Sequence, residues 1–153
     1  MPTPELARSD ARLPSLARID PYDWVLVLGC GIGWTSRRAA RRAHRGQVLG
    51  LDARPGMLAR ARELAAAEEL ANLRYADSAG LATGLGAGDF DVAIIHSGVG
   101  WVALAALSRV LVPGGRAVVE TEDLDEAAAG LTAAGFADVR TAAPGVVVGR
   151  AQT

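Results

Sequence analysis

The chain has 153 residues, 50% hydrophobic and 22% charged, with a formal net charge of −1. That size and balance fit one soluble globular domain with a sizeable core. A single cysteine, Cys30, excludes an internal disulfide and a thiolate metal cluster and makes a reducing cytoplasm the expected location. All 16 basic residues are arginine, so arginine clusters carry little weight as a nucleic-acid signal.

Residues 1–20 contain prolines at 2, 4 and 14 and charges throughout, with no apolar run of signal-peptide length. They are expected to form an extension, a flap over the acceptor side of a site that does not support the core. Residues 21–153 would then be the single folded domain. From Trp24 the chain alternates apolar runs with helix-forming segments: 24–28, a helix over 34–45, a strand over 47–51 and a helix over 55–70 opened by Pro55. A strand at 72–76, a strand at 90–96, a helix over 100–111, a strand at 115–121 and a helix over 123–134 continue it. The segment "GLGAG" at 84–88 reads as a surface loop, and the longest apolar stretch, 98–107, is too short to span a bilayer. Two strand-like pieces over 137–150, joined at Pro144-Gly145, give an antiparallel hairpin. The pattern predicts an α/β fold with a mostly parallel sheet covered on both faces. Trp24, opening the first strand, is expected in the core.

The stretch "WVLVLGCGIGW" runs from an apolar strand into glycines at 29, 31 and 33. Glycine there lets the backbone turn sharply and lets a ligand touch the main chain, while the next helix points free N–H groups into the same space. Asp52 ends the second strand, 19 residues after Gly33, where a carboxylate can accept hydrogen bonds from both ribose hydroxyls. The spacing is G-x-G-x-G, with Trp34 where a dinucleotide fingerprint needs its third glycine, which disfavours NAD. No Gly-Lys-Ser/Thr follows, so a phosphate-binding loop is excluded.

Five segments in order, "VLVLGCGIG", "GLDARPGML", "RYADSAGL", "GDFDVAIIH" and "LSRVLVPGG", make the chain from about Trp24 to Arg150 resemble the class I S-adenosylmethionine-dependent methyltransferases. The resemblance implies a Rossmann-like three-layer sandwich with a seven-stranded sheet of order 3-2-1-4-5-7-6, strand 7 antiparallel. It implies S-adenosylmethionine as cofactor, S-adenosylhomocysteine as product and direct in-line methyl transfer. On this basis Gly29, Cys30, Gly31, Ile32 and Gly33 lie against the methionine part, and Asp52 holds the ribose. Ala53, Arg54 and Met57 border the adenine, with Asp77 and Ser78 at its amino group. His96 sits near the methyl, as a cofactor contact and the candidate base; Trp34, Ser97 and Trp101 face the acceptor. Val27 stands where the family commonly carries an acid, and the short "HSGVGW" loop lacks the usual acceptor labels.

The acceptor stays unassigned. The small amount of chain available to enclose one also fits a non-catalytic cofactor-binding subunit of a heteromeric enzyme, and leaves room for a homo-oligomer or a partner subunit. Arg37, Arg38, Arg41, Arg42 and Arg45 read as a solvated basic face, with nucleic acid a weaker alternative. His44 reads as a partner for the helix C-terminus. Neither histidine has metal-ligand spacing to a second donor, so no metal is expected, and no membrane partner.

Overall fold

Side chains in a strand alternate between the two faces of a sheet, so an apolar run buries both. In the computed structural model, which describes residues 12–78, 88–97 and 102–152, the strands β1 (Trp24–Leu28), β2 (Gln47–Asp52), β3 (Leu73–Asp77), β4 (Phe90–Ile95), β5 (Leu111–Glu120), β6 (Ala137–Ala143) and β7 (Val146–Arg150) form one sheet. Its order is β3-β2-β1-β4-β5-β7-β6. Strands β3 to β5 in that order pair in parallel, and β7 runs antiparallel to both β5 and β6. The expected strand order and the reversed β7 are therefore present.

Val25 and Val27 of β1, Val92 and Ile94 of β4, and Val118 of β5 face one core layer, while Leu26, Leu28, Ala93, Ile95 and Val119 face the other. The first layer lies under helices α2 (Trp34–Arg42) and α3 (Pro55–Ala67); the second lies under α4 (Val102–Val110) and α5 (Leu124–Ala133). Local chemistry sets the helix ends. Asp123 caps α5 by accepting from the Glu126 N–H at 3.0 Å. The Asn72 amide donates to the Ala40 and Ala43 carbonyls at 3.0 and 2.8 Å, which ends α2 at Arg42 rather than at the expected residue 45. β5 also starts earlier than expected, at Leu111. The Pro113-Gly114-Gly115 segment lies within the strand as an irregularity in its pairing to β4.

Two expectations are corrected. Residues 12–16 form a short helix, α1, and the segment supports the core. Leu13 and Ala17 are fully buried against the first layer, with Leu16 and Ile19 packed beside them. Arg116 of β5 anchors the segment, Nε donating to the Ala17 carbonyl at 2.8 Å and Nη2 pairing with Asp23 at 2.6 Å. Prolines and scattered charges hid a short stretch whose few apolar residues, Leu13, Leu16, Ala17 and Ile19, all turn inward. Residues 1–11 lie outside the described residues, so a flap role for them stays an expectation. Trp24, in turn, is 44% exposed; as the first residue of its strand it meets Phe90 edge-on at 6.4 Å, with its other side at the rim of the sheet.

No helix among the described residues is long and apolar enough to cross a membrane.

Candidate active site

Parallel strands deliver their C-terminal ends to one edge of the sheet, and the register here is tight: Leu28 pairs with Leu51 and with Ile95, Asp52 with Asp77, and Ile95 with Val119. The turn after β1, the acids closing β2 and β3, His96 after β4 and Glu120 at the end of β5 are thereby brought to the same edge. Backbone bonds tie the edge together. Gly29 and Cys30 N–H both donate to the Leu51 carbonyl, at 2.9 and 3.0 Å; His96 N–H donates to Leu28 and Ser78 N–H to Asp52, each at 3.1 Å.

The glycine turn is left-handed at all three glycines, with φ of 71° at Gly29, 55° at Gly31 and 91° at Gly33. At Gly33 the reason is also spatial. A Cβ there would stand 2.2 Å from the Tyr75 hydroxyl and 3.1 Å from Ser36 Oγ, two groups that share a 2.7 Å hydrogen bond beneath the turn. At Gly31 the only side-chain atom of the described residues within 4 Å of such a Cβ is Arg54 Nη2, at 3.9 Å, so among them the turn is open. Arg37, expected on a solvated face, is buried: Nη1 donates to the Ile32 carbonyl at 2.7 Å and Nε pairs with Glu68 at 2.8 Å. The other arginines of that helix and the turn after it are also engaged. Arg41 pairs with Glu68, Arg42 donates to Ser15, Arg45 to Tyr22, and Arg38 stacks over Trp34 at 5.1 Å. Those four stay exposed, as expected of a solvated face, and only Arg37 departs from it.

Asp52 links the turn to β2. Its Oδ2 accepts the Gly31 N–H at 2.9 Å, and its two oxygens accept the Arg54 N–H at 3.0 Å and the Arg54 guanidinium at 2.9 Å from each of Nε and Nη2. The Arg54 hydrogen bond, helped by the two backbone N–H donors and opposed by burial, holds the Asp52 carboxyl down at about 2, so it is an anion throughout the neutral range. Burial, then the Asp52 charge, pushes the Cys30 thiol up to about 12, which leaves it a neutral packing group.

The other expected residues fall as follows. Ala53 and Asp77 are exposed, Met57 and Ser78 half-buried, and Ile32 is 36% exposed on the glycine turn. Trp34 opens α2, half-buried, in a groove it shares with Arg37, Arg38, Arg41 and Glu68. Ser97 follows His96 and is exposed. Trp101 and residues 84–87 of the "GLGAG" loop lie outside the described residues. Four participants escaped the sequence reading: Tyr75 and Arg37, which support the turn, Arg54 as the partner of Asp52, and Glu120. The Glu120 Oε1 accepts the Ser97 N–H at 3.2 Å and stands 3.6 Å from His96 Nδ1, with both side chains little exposed. Hydrogen bonding toward His96, with that from the Ser97 N–H, draws the Glu120 carboxyl below its ordinary range against the opposing effect of burial. Among the described residues no group of three or more His, Cys, Asp or Glu gathers as a metal site.

A glycine turn and a strand-end carboxylate meeting at the open edge of a doubly covered parallel sheet define a nucleoside-binding α/β protein. Residues 25–115 match the family described as a methyltransferase domain, and the chain belongs to that family. It is 36% identical over 107 residues to the trans-aconitate 2-methyltransferase of Deinococcus radiodurans, covering 65% of this chain and 38% of that one. The chain thus spans well under half the length of that relative. Among solved structures, the YcgJ protein from Bacillus subtilis shares the fold at a TM-score of 0.77 and 14% identity, over 95% of this chain and 99% of that one. An S-adenosylmethionine-dependent methyltransferase from Aquifex aeolicus does so at 0.74 and 18%, over 93% and 87%.

Proposed function

We propose that the chain is an S-adenosylmethionine-dependent methyltransferase that passes a methyl group to an acceptor not yet identified. The observation that supports this most is the Asp52 unit: a buried carboxylate bonded to the backbone of a glycine turn whose open side would be filled by any larger residue. A carboxylate can accept from both hydroxyls of a diol, and a turn open at Gly31 among the described residues suits a ligand that touches main chain. The residues present therefore fit the cofactor.

When bound, S-adenosylmethionine supplies a methyl on a positively charged sulfur, a leaving group that needs no protonation. The protein's part is mostly placement. Gly29, Cys30, Gly31, Ile32 and Gly33 would line the methionine end, and Asp52 would hold the ribose. Ala53 and Met57 would border the adenine, with Asp77 and Ser78 at its amino group. His96 would face the methyl, with Ser97, Trp34 and Trp101 toward the acceptor.

This reading carries a condition. The Arg54 guanidinium occupies both Asp52 oxygens, so the ribose can reach them only after Arg54 swings away. Its side chain is 60% exposed and free to swing into solvent, while the Asp52 side chain it leaves is 3% exposed and held by both prongs of the guanidinium. Titration with S-adenosylhomocysteine is expected to show opposite effects from two neighbouring changes. Asp52→Ala should weaken binding by about 1–3 kcal/mol through loss of a charged acceptor. Arg54→Ser should tighten it, because no cation then competes for the carboxylate. Unchanged affinity in a folded Asp52→Ala protein would place the ligand elsewhere.

A further inference from the structure

We propose that Glu120 positions His96 to take a proton from the acceptor, so that the acceptor is a hydroxyl compound or an amine arriving as its ammonium, which must be deprotonated before methylation. The inference rests on the methyltransferase reading above and deepens it by naming the acceptor class.

Topology makes the pair. Residues 96 and 120 are 24 apart in sequence, yet β4 and β5 run parallel with Ile95 beside Val119. The next residue on each strand is then also side by side and, by the alternation, on the same face. His96 and Glu120 are 13% and 12% exposed, with Nδ1 and Oε1 3.6 Å apart, close enough to pair as ions once the ring is protonated. The same Oε1 accepts the Ser97 N–H, which fixes the carboxylate against the backbone of the β4 loop.

A carboxylate on the Nδ1 side favours the neutral tautomer with its proton on Nδ1 and leaves the Nε2 lone pair directed away from Glu120. That nitrogen takes the proton. The acceptor's O–H or N–H bond breaks, its electron pair stays on the acceptor atom, and the proton moves to Nε2 and then to solvent. Glu120 stays ionised and stabilises the transient imidazolium, as its lowered carboxyl titration indicates. A carboxylic acid acceptor, already anionic at neutral pH, gains nothing from such a base.

The chain has two histidines, so His44→Gln leaves a single imidazole to observe by nitrogen NMR, without any acceptor. At about pH 8, above the ordinary histidine range, His96 is expected to carry its proton on Nδ1 with Nε2 unprotonated. Glu120→Ala should lose that preference, while Glu120→Gln, which keeps an oxygen for Nδ1–H, should retain it. With an acceptor in hand, Glu120→Gln should lower kcat at least about tenfold with KM little changed, because only the charge is lost. Nε2 protonated in the wild type, a doubly protonated ring, or a spectrum unmoved by Glu120→Ala would each overturn the proposal. The methyltransferase reading fails separately, by absence of S-adenosylhomocysteine binding, which the imidazole spectrum does not report.

Discussion

His96→Ala is expected to lower turnover roughly 10²–10⁴-fold, the usual contribution of a positioned general base, with the cofactor dissociation constant almost unchanged. The separation follows from where the strands end. Ribose and adenine are assigned to the ends of β2 and β3, through Asp52 and Asp77, whereas His96 follows β4 and pairs with Glu120 on β5. Removing the imidazole therefore leaves the ribose and adenine contacts in place, gives up only its contact beside the methyl, and takes away the group used as the acceptor loses its proton. The check is single-turnover kinetics beside a direct binding measurement on the same variant. The wild-type rate should rise with pH along a limb that the alanine protein lacks. Equal rates and identical profiles would make His96 pocket lining and point to an acceptor that arrives already nucleophilic.

The second large effect is on stability. Leu13→Ala should destabilise the fold by about 2–5 kcal/mol, the range for truncating a fully buried leucine, a large share of a typical total of roughly 5–15 kcal/mol. Leu13 has no exposed surface and belongs to the layer containing Val25, Val27, Val118 and Val146. The α1 segment is pinned from several sides. Arg12 donates to the Pro144 carbonyl at 3.2 Å and Arg42 to Ser15 at 2.8 Å, besides the Arg116 contacts. Collapse of α1 into the void is thereby limited. Urea unfolding of Leu13→Ala beside the exposed control Glu122→Ala measures the difference; a midpoint equal to the control's would mean that the segment lies on the core without completing it.

How much was legible depends on how local each signal is. The alternation of strands and helices and the closing hairpin could be read because apolar runs, helix formers and turn residues follow one another along the chain; the strand order came only through the family resemblance, and the glycine turn and Asp52 were legible because each lies at the end of its strand. Glu120 was hidden because its meaning comes from a neighbour 24 residues away, across a strand pairing that the sequence shows only as two separate apolar runs. Tyr75 read as an ordinary strand residue; its hydroxyl matters because it rises under Gly33 from a different strand. Arg37 and Arg54 look like surface charge in a chain whose every basic residue is arginine. What distinguishes them is a buried carbonyl and a buried carboxylate at the tip of each side chain. In the N-terminal segment, composition outweighed four inward apolar residues. Trp24 misled for the opposite reason, since apolar character alone does not say that a strand's first residue lies inside the sheet's rim.

The most direct measurement is calorimetric titration of the wild-type chain with S-adenosylhomocysteine, with NAD titrated in parallel. A glycine turn closed by Trp34, an ionised Asp52 and the absence of a phosphate-gripping lysine predict one S-adenosylhomocysteine site per chain and much weaker binding of NAD. NAD binding more tightly than S-adenosylhomocysteine, or no heat from S-adenosylhomocysteine with a folded protein, would contradict it.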